Sequence, residues 1–292
     1  MSLVINTNVS ALNGARNLAN TQAQQSQTFN RLSTGLRINS AKDDAGGLYL
    51  AQAQTKDIRG LNMATRNAGD GISLAQTAEG ALDQITSNLQ RINELAIQSA
   101  NGTYNTAARG GLQKEVDQLT QEITRIIETT EFNGQKLLNA SAESLTMQVG
   151  FDNDSAYQVN AGLSGGLAGV LSANVKGGTA LALITAGGLD GTATIDITTQ
   201  TAAQSAISLT RNMIDGISTE RATFGAVMNR FEAVISGNQI YSENLQASRS
   251  RVQDADFAAE TSNLAKQQVL QQAGVAALGQ ANASSQVVLG LL

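Results

Sequence analysis

The chain is predicted to be mainly α-helical with a small β region: a long antiparallel helical rod, its N- and C-terminal helices paired as a coiled coil, with a β-hairpin and a short insertion between them. Three observations predict this. Apolar or Ala positions recur in steps of three and four at Ile58, Leu61, Ala64, Ala68, Ile72, Ala75, Ala78, Leu82, Ile85, Leu89, Ile92 and Leu95, which lines them along one face of a helix. Similar spacing returns nearer the other end at Ile214, Ile217, Phe224, Val227, Phe231, Val234, Asn238, Tyr241, Leu245 and Val252, with one weak step at Arg221. Two such stripes need a shared seam, and Leu82, Ile85, Leu89, Ile92, Phe224, Phe231, Tyr241 and Leu245 are its predicted packing residues. The third observation is the absence of proline from all 292 residues, which permits uninterrupted helices.

In chain order, residues 2–32 read as a moderately amphipathic helix with Val9, Leu12, Leu18 and Phe29 on or near one face. Gly14 and many Asn and Gln make it marginal in isolation. Ser33-Thr34-Gly35 breaks the pattern, and Ser40 with Asp43 three residues on has the form of a capping box. The helix starting there is expected to run from about Ala41 to Ala100, on the order of 80–90 Å, until Asn101-Gly102 stops it. A third helix, over about 107–130, carries Leu112, Val116, Leu119, Ile123, Ile126 and Ile127, with Asn133-Gly134 as the turn after it. The period then changes. Leu145, Met147, Val149 and Phe151 alternate with polar residues, Asp152-Asn153-Asp154 turns the chain, and Tyr157 and Val159 alternate again, which predicts a β-hairpin. A few short strands are expected in the Gly-rich stretch from Gly162 to Gly191 and in Thr192 to Thr199, where Ile195 and Ile197 share a face. Helix resumes near Ala202 and runs to about Ser250. After Asp254-Ala255-Asp256 a last helix, weakened by Gly274 and Gly279, carries Leu264, Val269, Val275 and Leu278.

Composition limits what such a chain can do. Charged residues are 15% and aromatics 3%, against about 25% charged in an average globular chain. A neutral-polar surface suits a subunit surrounded by copies of itself. The net charge is −5 and the cations are scattered singly, which argues against a nucleic-acid partner. Without Cys, His or Trp the chain has no thiol chemistry and lacks the commonest general base and metal ligand. No catalytic residue, cofactor site or metal site is expected. Asp152-Asn153-Asp154 lacks the Gly and Glu of a calcium loop, the Gly doublets lack a following Lys-Ser or Lys-Thr, and Lys42-Asp43-Asp44 is explained by a helix start. The N-terminus shows no basic region before an apolar block, so no Sec-type signal peptide is expected, and Val287 to Leu292 is too short to span a bilayer. Asn101-Gly102-Thr103 and Asn139-Ala140-Ser141 read as turns, not glycosylation sites.

Several motifs carry a resemblance. The run from Leu32 through Arg37-Ile38-Asn39-Ser40-Ala41-Lys42-Asp43-Asp44-Ala45-Gly46 strongly resembles the N-terminal signature of bacterial flagellin. Arg66-Asn67-Ala68, Asp70-Gly71-Ile72-Ser73, Ala78-Glu79-Gly80-Ala81-Leu82, the run from Leu89 to Ala96, and Phe132-Asn133-Gly134 resemble the same family. So do Asn229-Arg230-Phe231, Ser248-Arg249-Ser250-Arg251-Val252 and Gln271-Gln272-Ala273-Gly274. The likeness covers roughly residues 1–150 and 205–292.

That resemblance implies a structural subunit that polymerises into the flagellar filament for motility, secreted unfolded through the flagellar type III apparatus and residing in the extracellular filament. It implies an inner terminal helical domain (1–40 and 254–292) that folds on assembly, a long-helix rod domain (41–139 and 206–253) and a hairpin with a small outer insertion (140–205). The implied partners are copies of the chain itself, an export chaperone, the filament cap and hook-junction proteins, and the host Toll-like receptor for flagellin. Gln90, Arg91, Leu95 and Glu115 match the family's receptor-binding positions. Val288, Leu289, Leu291 and Leu292 match the leucine-rich end implied to meet the export chaperone and to pack in the inner core. The hook–filament junction protein shares the end-pairing architecture and is the alternative within the assembly. A secreted adhesin-like module is the alternative outside it.

Overall fold

The computed structural model describes residues 8–139, 142, 145–161 and 195–289, the side chains of 284–289 excepted. It holds α1 (Val9–Thr34), α2 (Ala45–Ala100), α3 (Thr106–Thr129), strands β1 (Glu131–Phe132), β2 (Gln135–Lys136), β3 (Thr146–Gln148) and β4 (Gln158–Asn160), then α4 (Gln200–Gln253) and α5 (Phe257–Leu289). The mainly helical class with a small antiparallel β region is as the sequence predicts. The chain divides into two compact units, residues 1–58 with 243–292, and residues 59–242.

In the first unit, α1 begins where the Asn8 side chain accepts from the Ala11 amide, and it ends at Gly35 with φ 69°, a left-handed stop that glycine adopts without strain. Asp256 starts α5, its carboxylate accepting from the Ala258 and Ala259 amides at 2.9 and 3.1 Å. The two helices run antiparallel. Asn8 Nδ2 donates to the Ala281 carbonyl at 3.0 Å, Gly14 lies against Leu278 and Gly274 against Leu18, and Gln267 Nε2 donates to Thr28 Oγ1 at 3.2 Å. Close packing explains Gly14, because a Cβ there would meet Leu278 Cδ2 at 2.8 Å. The connecting segments pair as well: the Arg37 amide donates to Gln253 O at 2.7 Å and the Ala255 amide to Gly35 O at 3.0 Å.

The start of α2 differs from expectation by four residues. Asp43 does not sit at N3 of a helix begun at Ser40. Its Oδ2 accepts from the Asn39 amide, the Ser40 amide and the Ser40 hydroxyl at 3.2, 3.0 and 2.9 Å, which closes a tight turn ahead of the helix. Asp44 is the cap, accepting from the Gly47 amide at 2.9 Å. Two consecutive acids each satisfy local amides, and the second one starts the helix. Ile38, fully buried, packs over Gly47.

In the second unit, α2, α3 and α4 share one core. Leu82, Ile85, Leu89 and Ile92 of α2 are buried with Val116, Ile123 and Ile127 of α3 and with Met213, Ile217, Phe224 and Phe231 of α4. Small residues set the spacing. Ala68, Ala75 and Ala78 are fully buried, and the Phe231 ring occupies the space a side chain at Gly71 would need. Gly71 takes the seam position there, and Ile72 is left half-buried. Tyr241, expected in the seam, is 44% exposed. The stripe passes instead through Ser242, which is 6% exposed, and the Tyr241 ring faces Phe151 at 5.9 Å between centroids. Leu245, of the first unit, is half-buried.

The β-hairpin forms where the alternation predicts it. Thr146 pairs with Asn160, Met147 with Val159 and Gln148 with Gln158, with one 3₁₀ turn (Ser155–Tyr157) opened by the Asp154 side chain. Asn67 of α2 and Asn238 of α4 donate to the Gln148 and Val149 carbonyls at 2.9 and 3.0 Å. That gives the polar residue Asn238 a role within an otherwise apolar stripe. A second, smaller hairpin was not expected: β1 and β2 pair around Asn133 (φ 51°) and Gly134 (φ 79°), the two positive φ angles of a tight hairpin turn.

Residues 195–199 form no strand. The Gln113 side-chain amide donates to Ile195 O at 2.8 Å and accepts from the Ile197 amide at 2.7 Å, supplying both bonds a neighbouring strand would make. Ile195 and Ile197 are buried in the core. The strands expected between Gly162 and Gly191, the first residues of the N-terminal helix, and Leu291 and Leu292 lie outside the described residues, as do the side chains of Val288 and Leu289.

Candidate functional site

Among the described residues no group of acidic side chains could hold a metal ion, and no helix is long and apolar enough to cross a membrane. What the structure offers are surfaces.

The first is an ionic cluster in the second unit. The chain turns back after α2 at Asn101–Asn105, where Gln98 Nε2 donates to the Tyr104 hydroxyl at 2.7 Å and the Asn105 side chain caps α3 by accepting from the Ala108 amide at 2.8 Å. The turn lays α3 beside α2, so that Arg91 Nε reaches Glu115 Oε1 at 2.9 Å while its Nη1 reaches Glu94 Oε2 at 2.9 Å. The hydrogen bond to Glu115, then that to Glu94, pushes the Arg91 guanidinium above its already high ordinary value. All three side chains are about half exposed. Such pairs add little to stability in water, but they hold a planar cation in one fixed orientation.

Of the four residues matched to receptor positions, the structure brings Gln90, Arg91 and Glu115 to the surface and does not bring Leu95. Leu95 is 1% exposed and belongs to the core between α2, α3 and α4. Glu94 completes the cluster and went unremarked in the sequence, although its position three residues after Arg91 on one helix is the signal for such a pair.

The second surface is the terminal helix pair. Val9, Leu12, Phe29, Phe257, Val269 and Val275 of α1 and α5 are each more than half exposed. Thr28 is the buried residue of α1 and Glu260 that of the described part of α5. Arg31 Nη1 meets Glu260 Oε1 at 3.1 Å. Leu18, Leu264 and Leu278 are half-buried in the pair, but its buried residues among those described are polar while several large apolar groups face outward, which departs from the usual arrangement.

The chain's two helical regions match known families. Residues 5–143 match the bacterial flagellin N-terminal helical region and residues 207–292 the bacterial flagellin C-terminal helical region. The chain belongs to the bacterial flagellin family. It is 41% identical to a flagellin of Halalkalibacterium halodurans over 290 residues, 99% of this chain and 100% of that one. It is 33% identical to flagellin B of Vibrio cholerae over 375 positions, with both chains wholly covered. A solved structure assigned to a flagellar hook-associated protein of Vibrio parahaemolyticus shares the fold, with a TM-score of 0.58 at 12% identity over 73% of this chain and 100% of that one. Fold alone therefore does not separate flagellin from hook-associated proteins, and the full-length identity to flagellins does. As a flagellin-family member the chain is a structural subunit of the extracellular flagellar filament and not an enzyme.

Proposed function

We propose that the chain polymerises with copies of itself and that α1 and α5 complete their fold only against neighbouring subunits. The observation that carries this reading is the exposure of Val9, Leu12, Phe29, Phe257, Val269 and Val275 on a helix pair whose buried residues, among those described, are Thr28 and Glu260. Covering one such side chain contributes about 1.5–3 kcal/mol, so neighbouring copies supply what the pair lacks alone. The domain division follows the same logic. Residues 1–40 and 254–292 form the inner domain, 41–139 and 206–253 the rod, and 140–205 the outer part.

Passage through the type III apparatus as an unfolded chain fits termini of low intrinsic stability. An export chaperone engages Val288, Leu289, Leu291 and Leu292, and cap and hook-junction proteins meet the chain at the filament's ends. Receptor recognition rests on Gln90, Arg91 and Glu115 as direct contacts, with Leu95 holding α2 in place from below.

Electron microscopy of the purified chain after addition of short filament seeds tests the assembly reading, with a chain lacking residues 254–292 as control. Long seeded filaments from the full chain alone are expected. A well-folded full chain that never elongates seeds overturns propagation and favours a junction protein. For recognition, Arg91→Ala with Glu115→Ala is expected to reduce receptor signalling by the monomer without loss of folding. Signalling equal to the parent's removes this surface from the account.

A further inference from the structure

We infer that Arg31 and Glu260 set the register in which α1 and α5 of one chain pair. This goes beyond the assembly reading, because it concerns which turns of the two helices face each other inside a subunit.

Apolar packing alone specifies the register weakly, since Leu18, Leu32, Leu264 and Leu278 are only half-buried among Ala, Thr, Gln and Gly positions, two of the leucines against Gly14 and Gly274, and Val9, Leu12, Phe29, Phe257, Val269 and Val275 point outward. Such surfaces present much the same face after a one-heptad slip, and in coiled coils a buried polar pair is the device that fixes register. Here the charges are sparse enough to single out one register. Arg16 and Arg31 are the ionisable residues of α1, and Glu260 and Lys266 those of α5. Glu260 is thus the one acid on either helix. In the observed register it meets Arg31 at 3.1 Å, with side-chain exposures of 27% for Arg31 and 11% for Glu260. The neighbouring contact of Gln267 with Thr28 adds a hydrogen bond in the same register. A slip of one heptad sets Arg31 opposite Gln267 in one direction and Glu260 opposite Gln24 in the other, parting the two charges from each other. Pairing Glu260 with Arg16 instead requires a slip of about four turns. One register satisfies the acid, and its neighbours strand it in a mostly buried position, where an unpaired charge is strongly disfavoured.

The chain has no cysteine, so engineered pairs report register without background. Gly14→Cys with Leu278→Cys marks the observed register. Gly14→Cys with Gln271→Cys, and Thr21→Cys with Leu278→Cys, mark the two heptad slips. Each pair is oxidised in seeded filaments of the full chain, and disulfides within one chain are separated from those between chains by mobility after denaturation. The parent is expected to close the observed-register pair within one chain. Glu260→Arg is expected to lower that yield by roughly fivefold or more, the coupling of a contacting pair, and to raise a slipped pair, while Arg31→Glu with Glu260→Arg restores the parent pattern. Arg31→Leu with Glu260→Leu keeps side-chain bulk and removes the charges, and both slipped cross-links are expected to rise. Should Glu260→Arg form no filament, recovery of filaments and of the native cross-link by the charge swap still supports the inference. A swap no better than the single reversal, or a reversal that leaves the native cross-link unchanged, overturns it. If the parent itself does not elongate seeds, the assembly reading fails separately, and the same ordering of variants is required in the soluble chain.

Discussion

A methyl group added at Gly71 would sit 2.7 Å from Phe231 Cζ, whereas one added at Gly80 would meet nothing within 4 Å. The two glycines lie on the same helix, so propensity alone would give both substitutions the same sign. Gly80→Ala is expected to stabilise by up to about 1 kcal/mol. Gly71→Ala is expected to destabilise by about 1–3 kcal/mol through overpacking, and Phe231→Leu should recover part of that loss. Denaturant midpoints check both. Two acids give opposite pH behaviour. Hydrogen bonds from the Ser40 side chain first, then from its amide, hold Asp43 below the usual carboxylate range. Its contribution is therefore present above the unfolded value and lost as pH falls through the lowered one. Burial pushes Glu220 up, so the folded chain prefers it protonated, and its contribution is lost as pH rises through the raised value. Glu220→Gln is expected to raise the melting temperature at neutral pH, with the gain shrinking toward about pH 4. Thermal melts at both pH values decide this. The periodic pattern in the sequence identified Phe231 and most of the seam at this scale. It could not show that Tyr241 turns to an aromatic neighbour and yields its place to Ser242, because that depends on a hairpin distant in sequence.

At the scale of elements, helix identity and hairpin position were legible, since the 3.6 and 2.0 periods are properties of local sequence. The misplaced start of α2 arose because Ser40-Asp43 and Asp44-Gly47 are both plausible caps, and packing of Ile38 over Gly47 favours the second. The strand expected at Ile195 and Ile197 failed for a different reason. Alternation shows that these residues face a core, but a strand also needs a neighbour, and here one glutamine amide takes that place. Gln113→Leu would leave the Ile195 carbonyl and the Ile197 amide unpaired, at about 1–3 kcal/mol for each buried group. Faster hydrogen exchange at the Ile197 amide with little change in α2 is the expected signature. Uniform loosening of the whole unit would show that the amide has no local role. Of the proposed recognition surface, the sequence placed Arg91 and Glu115 together only through family resemblance. Their contact needs the turn at 101–105, and Leu95 shows that a matched position need not be an exposed one.

At the scale of the molecule, the two units differ in how they are held. Residues 59–242 bury a continuous apolar core drawn from three helices and the larger hairpin, while α1 and α5 keep large apolar side chains in water. Amide exchange on the monomer is therefore expected to be slow along α2, α3 and α4 within residues 59–242 and fast along α1 and α5. Strong protection of both terminal helices in the monomer would remove the basis for folding on assembly. Low charge and few aromatics suit a subunit surrounded by copies of itself, while the marginal terminal helices follow from their Gly, Asn and Gln content. The buried Thr28 and Glu260 of the α1–α5 pair are not legible until the two helices are set side by side. One further consequence concerns tolerance to insertion. Ala161 and Ile195, on either side of residues 162–194, are both buried, and the Ala161 amide is tied to Leu145 O at 2.8 Å while Ile195 is tied to Gln113. With both ends fastened to the core, doubling the length of chain between them costs only about 0.6 kcal/mol in closure entropy. A change in the length of chain between these two anchors is therefore expected to leave both fastenings in place.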